Sequence, residues 1–224
     1  MKIAPVNDRE VLSQCRFGST PHVRAKLIGI PHLNSSAVED AVNRELKLPA
    51  PDLEYLQGLA NALVALLPNS YTAIKRLLGM ANPKEIYELH FSIFGALNRS
   101  DFNELEQDGL EYLLAEYLRG VNSTAAYAAW KAGLVLGEDW LTPKTEGLLA
   151  DLMTTARFPA GRLGAINGYR WVVQQRGTST DAELAPLRRV ARNDKSLKVR
   201  ENAKFNLKHL SDMHRKGNPG LSHL

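Results

Sequence analysis

Cysteine is nearly missing: the chain of 224 residues holds one, Cys15. A single thiol closes no intramolecular disulfide and builds no cysteine-cluster metal site, so packing alone must hold the fold. It fits a reducing compartment, and its expected role is that of a small buried apolar side chain. Long apolar runs are missing as well. No stretch approaches the roughly 18 apolar residues of a membrane span, and the opening MKIAPVNDREVLSQC lacks the apolar centre of a signal peptide. A cytoplasmic location and no membrane partner are therefore expected. Strand signals are also scarce, since no alternating β-branched run is bounded by turn dipeptides.

Motifs of catalysis are equally absent. The six histidines, His22, His32, His90, His209, His214 and His223, form no HExxH pair and take no metal-ligand spacing with carboxylates. There is no GxSxG elbow, and Cys15 stands in no local protease signature. GRLGAING has the glycines of a dinucleotide loop but follows no strand and sits inside a helical pattern. These absences leave no catalytic residue, metal or cofactor to assign, and favour a binding protein over an enzyme.

What is present is helical periodicity, broken at regular intervals by proline, glycine and capping residues. Helices are expected in pairs: residues 8–16 with 20–30, 36–46 with 52–67, 70–80 with 83–98, 101–119 with 123–136, 143–157 with 159–175, and 181–193 with 196–213. Prolines in KLPAP and ANP forbid continuous helices there, and Pro143 and Pro159 suit first-turn positions. The second helices begin near residues 20, 52, 84, 123, 160 and 197, a spacing of about 32 residues early and about 37 to 39 later, which lies in the range of helix-pair arrays. The prediction is an all-α chain whose residues 1–214 form one array, with 215–224 as a flexible tail.

The last pair carries the clearest pattern. Pro186 lies inside its first helix, Asp194 in the turn, the pair Val199-Arg200 early in its second helix, and Ala203 and Leu207 at the small and large core positions that follow. This arrangement resembles a HEAT repeat. Val23-Arg24 repeats the Val-Arg pair without the aspartate, while Arg162 with Ala165 falls one period before Arg200 with Ala203. The resemblance implies a right-handed α-solenoid of about six helix-turn-helix HEAT-like repeats. It also implies that Asp194 and Arg200 tie neighbouring turns together.

Charge and aromatics supply the candidate surface. The net charge is +4, yet from Pro186 to Lys216 ten Lys or Arg face three acids, and from Asp101 to Glu116 six acids face no base. Arg188 and the row Arg200, Lys204 and Lys208 make the last pair basic. Trp130 beside Lys131 and Trp171 beside Arg170 occupy corresponding second helices, the layer that lines the concave side of such arrays. Gly161, Gly164 and Gly168 give one helix face without side chains, suited to close packing. Candidate partner contacts are Trp130, Lys131, Arg162, Arg170, Trp171, Arg188, Lys204 and Lys208. A protein partner is the first expectation, as for an adaptor, scaffold or inhibitor. The alternative is nucleic acid, through similarity to the HEAT-like DNA glycosylases, with Asp151 as a nearby acid. The oligomeric state is not legible.

Overall fold

The structure, a computed structural model, describes residues 7–122, 125–177 and 180–215, and for His214 and Arg215 the backbone only. Among these residues there are twelve α-helices and no strand. No described helix is long and apolar enough to cross a membrane. The expected tail at 215–224 lies outside the described residues apart from the backbone of Arg215. The chain divides into two compact units, Met1–Gln107 and Asp108–Leu224. Charge follows that division: eleven Lys and Arg against twelve acids up to residue 107, and seventeen against twelve after it.

The first unit holds α1 (Asp8–Gln14), α2 (Thr20–Ile28), α3 (Ser35–Glu45), α4 (Leu53–Ala65), α5 (Tyr71–Leu78) and α6 (Ile86–Gly95). Helix α4 is central. Asp52 starts it by accepting from the Glu54 and Tyr55 amides, and Leu56, Leu59, Ala60, Leu63 and Val64 bury most of its circumference against α1, α2, α3 and α6, while Glu54 and Gln57 stay exposed. Gly58 lets α1 rest on its backbone, since a Cβ there would lie 2.2 Å from the Leu12 carbonyl oxygen. Two side chains bind α2 to its layer: Arg24 Nε donates to the Ala65 carbonyl at 2.9 Å, and the Thr20 hydroxyl donates to the Ala96 carbonyl at 3.1 Å. Cys15 is buried as expected, and burial pushes its thiol pKa up.

The second unit holds α7 (Glu104–Gly120), whose first turn precedes residue 108, then α8 (Ala126–Leu134), α9 (Pro143–Thr155), α10 (Pro159–Gln175), α11 (Asp181–Asn193) and α12 (Leu197–Arg215). Prolines open α9 and α10, and capping boxes start α9 (Thr142 with Thr145) and α11 (Thr180 with Glu183). Helix α10 packs on α8, α9 and α12, and α11 packs on α12 and α9. So α8, α10 and α12 form one layer, backed by α9 and α11.

The glycine face of α10 is used for close packing. A Cβ on Gly164 would lie 2.3 Å from the Ala129 carbonyl oxygen, one on Gly133 1.9 Å from that of Gly164, and one on Gly168 2.2 Å from that of Gly133. Backbone therefore meets backbone where α8 crosses α10. Past Leu134 the helix widens into a π-helical turn, Val135–Asp139, closed by the Trp140 amide on the Val135 carbonyl at 3.0 Å. The sequence predicts plain α-helix there to residue 136. Its Gly137 sits against Gly168, where a Cβ would come within 2.2 Å of the carbonyl oxygen, and Trp140 is 1 % exposed behind it. On α12 the expected core positions Val199 and Ala203 are buried, as is Leu210, whereas the expected Leu207 is half-buried and Asn206 takes the interior place with its amide on the Asn202 carbonyl.

Candidate functional site

The side of the second unit formed by α8, α10 and α12 carries a groove of about 510 Å³. Helix α8 contributes Ala126, Tyr127 and Trp130, one turn apart on one face, α10 contributes Leu163 and Asn167, and α12 contributes Lys198, Glu201, Asn202 and Phe205. Three aromatic rings are exposed at it: Tyr127 at 44 %, Trp130 at 41 % and Phe205 at 65 %. The ring of Phe205 lies nearly parallel to that of His209, with 6.4 Å between centroids. Single exposed rings are ordinary, but here three gather in one concavity with an amide on each side and charges of both signs at the rim.

The other residues singled out in the sequence separate into several environments. Trp171 is half-buried, and the Arg170 guanidinium lies 5.3 Å from its ring centroid. Burial without a carboxylate nearby lowers the pKa of Arg170, and its Nε is buried with no hydrogen-bond acceptor among the described residues. The carbonyl oxygen of the Gln174 side chain, one turn on, is in the same condition. Lys131 is half-buried and acts on Asp139, whose carboxyl is raised chiefly by burial and lowered by that lysine. Lys204 and Lys208 are exposed on α12 but do not line the groove. Arg188 reaches back along its own helix to Asp181 at 2.6 Å.

Arg162 is corrected from surface contact to scaffold. It is 2 % exposed, its Nε and Nη2 hold both carboxylate oxygens of Asp194 at 2.6 and 3.1 Å, and its Nη1 donates to the Ala156 carbonyl at 2.8 Å. Arg200 makes the corresponding bond to the Asp194 carbonyl at 2.6 Å, one period later. Asp194 further accepts from the Ser196 amide, so it fixes the turn that leads into α12 while joining it to α10. The desolvation of both ions is offset by a bidentate geometry and by the extra carbonyl and amide partners.

The acidic stretch 101–116 is also partly committed. Lys144 pairs with Asp108 at 3.0 Å and with the buried Glu111 at 3.2 Å, and Glu116 pairs with Arg119. Glu106 caps α7 through the Asn103 amide.

His90 is buried with Nε2 2.8 Å from the Leu77 carbonyl, and desolvation lowers its pKa to about 4, which keeps it a neutral donor inside the first unit. His32 meets Asp8 at the surface. No group of three His, Cys, Asp or Glu among the described residues is placed to hold a metal ion. A polar cavity of about 360 Å³ in the first unit has Thr20 and Asn61 in its wall, but these already bond to carbonyls of Ala96 and Cys15.

Sequence reasoning found Trp130 and missed Tyr127, Phe205 and Lys198. A usable signal existed, because Tyr127 and Trp130 are three residues apart and Lys198, Glu201 and Phe205 recur at helical spacing away from the apolar stripe. No family model matches the chain, and no curated protein or solved structure matches it either.

Proposed function

We propose that the chain is a non-enzymatic binding module that holds a segment of a partner protein in the groove between α8, α10 and α12. The observation that carries this reading is the gathering of Tyr127, Trp130 and Phe205, all exposed, around a single concavity. Rigid aromatic anchors in a pocket with a polar rim are the usual energetic centre of protein interfaces. The surrounding charge favours an acidic segment with an apolar anchor, because Lys198 lines the groove and Lys204 and Lys208 follow on the same helix while Glu201 is the one acid in its wall. The pairs α9 with α10 and α11 with α12 are read as HEAT-like repeats. Support comes from Pro186 inside α11, from Asp194 in the turn, and from arginines at 162 and 200 that make the same bond to the carbonyl six residues before them.

A photo-crosslinking amino acid placed at Tyr127 in the native host tests the proposal, with the same group at the exposed Ile28 of the first unit as control. A defined protein trapped from position 127, not from position 28, and lost when Trp130→Ala is added is the expected result. Equal trapping from both positions, or trapping indifferent to Trp130→Ala, sinks it.

A second reading is favoured by one observation, the half-buried Arg170 that rests on Trp171 without a carboxylate partner. A guanidinium so placed suits a phosphate beside a stacked base. Anisotropy of labelled single-stranded and duplex DNA between low and physiological salt decides it, and no binding at low salt removes nucleic acid from consideration.

A further inference from the structure

The second unit has another concavity, away from the aromatic groove. It lies between the turn that joins α9 to α10 and the turn that joins α11 to α12, and holds about 470 Å³. The ion pair of Arg162 and Asp194 is part of its wall, and around that pair stand Thr154, Thr155, Arg157, Arg189, Asn193 and Lys195. The ion pair is internally neutral. The charge of the lining is therefore that of Arg157, Arg189 and Lys195, three cations with no carboxylate among the other lining residues.

Several cations elsewhere in this unit are matched with acids: Arg119 with Glu116, Lys144 with Asp108 and Glu111, Arg176 with Glu146 and Glu183, Arg188 with Asp181; others, Arg170 and Lys204 among them, are not. Arg157, Arg189 and Lys195 are exposed and make no ion pair within 4.0 Å among the described residues. Asp151, one turn before Thr155, accepts from the Thr155 hydroxyl at 3.1 Å. The Arg157 guanidinium lies 5.0 Å from the Phe158 ring centroid, which restrains it beside the cavity. Three like charges around one hollow repel one another, and an anion entering the hollow would relieve that repulsion.

We propose that this cavity binds the terminal phosphate of a small phosphorylated ligand. A phosphate monoester is close to a dianion at neutral pH, and two guanidinium groups with one ammonium more than balance its charge. Planar guanidinium forks pair with two phosphate oxygens at once, and lysine adds a point charge. The Asn193 amide and the Thr154 hydroxyl suit the uncharged remainder of such a ligand. The volume falls within the roughly 300 to 1,000 Å³ of small-molecule sites. The phosphate comes either from free inorganic phosphate or from an organic monoester, and the two are separable by experiment.

The full chain is titrated calorimetrically with ribose 5-phosphate, with inorganic phosphate, and with a dinucleotide that has a diester but no terminal phosphate, all at ionic strength held constant with chloride. Saturable binding of ribose 5-phosphate is expected, weakened at least tenfold by Arg189→Gln and by Lys195→Gln and unchanged by Lys75→Gln, at an exposed position of the first unit outside the cavity. Inorganic phosphate binding as tightly as the sugar phosphate, with the same response to the variants, supports the site and assigns it to the free ion. No saturable binding of either monoester species overturns the proposal, as does binding that survives both cavity variants. Binding of the dinucleotide alone also overturns it and favours the nucleic-acid reading of Arg170 and Trp171. Both substitutions are at exposed positions, and an unchanged far-UV circular dichroism spectrum shows that each variant folds.

Discussion

Adding one methyl group at Gly133 and one at Gly147 should move stability in opposite directions. At Gly133 a Cβ would stand 1.9 Å from the Gly164 carbonyl oxygen and 2.5 Å from its carbon, while ordinary contact begins near 3.4 Å. Both obstacles are backbone, so no side chain can swing away, and α8 and α10 must separate by about 1.5 Å along that line. Overpacking costs typically ~1–3 kcal/mol, and alanine returns only ~1 kcal/mol of helix propensity. Because the clash is against a neighbouring helix along its contact, the upper part of that range applies and a net loss of about 2 kcal/mol is expected. Gly147 lies inside α9 with nothing within 4 Å of the added atom, so Gly147→Ala should gain about 0.5–1 kcal/mol. Urea unfolding followed by tryptophan fluorescence reads this unit specifically, since Trp130, Trp140 and Trp171 all follow residue 107. With a slope of roughly 2 kcal/mol per molar urea, the Gly133→Ala midpoint should fall by about 1 M and the Gly147→Ala midpoint should rise by a few tenths. An unchanged or raised midpoint for Gly133→Ala would falsify the backbone-to-backbone packing of α8 on α10.

Three further outcomes are expected. Asp194→Asn strands the buried Arg162 charge and should cost ~3–5 kcal/mol, whereas Asp181→Asn at the exposed partner of Arg188 should cost under about 1 kcal/mol, and equal losses in urea would show that the buried pair is not special. His90 has its folded pKa lowered from 6.5 to about 4, so the unfolded chain binds its proton first and stability is complete above about pH 6.5 and lost as the pH falls towards 4; the stability of the parent minus that of His90→Gln should drop by up to ~3 kcal/mol across this window, and a flat difference refutes a neutral buried imidazole. Trp130→Ala should leave the unfolding free energy within about 0.5–1 kcal/mol of the parent while removing a proposed binding anchor worth ~2 kcal/mol, whereas Trp140→Ala, at a fully buried ring, should destabilise by ~3–5 kcal/mol, and the reverse order of stability losses would place the wrong tryptophan at the surface.

Helix existence was legible because its signals are local. Pro143 and Pro159 open helices where proline lacks only a donor that would be unpaired, Thr180 and Glu183 cap one another, and Val199 and Ala203 keep the spacing that sends them inward. The glycine row on α10 was legible for a related reason, since three missing side chains on one face invite close contact, although its partner Gly133 could not be picked out by spacing within one helix. Ends of elements were less clear: α6 begins at Ile86 where a start at Pro83 was expected, and the π turn after Leu134 depends on contact with Gly168. The candidate site was read least well. Whether Trp130 or Trp171 faces outward is decided by neighbours on other helices, and Arg162 meets an aspartate 32 residues away, a distance across which composition and periodicity carry no pairing information. Leu207 and Asn206 show the limit most plainly, because adjacent positions of opposite polarity exchanged places once Asn202 offered a carbonyl to the buried amide.

The Arg162 guanidinium grips two acceptors in different places, the Ala156 carbonyl at the end of its own turn and the Asp194 carboxylate at the start of α12. Two fixed points on one planar group specify both a separation and a rotation between α10 and α12. Those two quantities set the aperture of the groove, since Leu163 stands next to Arg162 on one bank and Lys198, Glu201 and Phe205 stand along the other. The width of the groove can therefore be retuned from underneath. A lysine at position 162 would keep the charge but lose the fork, changing how wide the groove opens while every residue that touches its contents stays the same.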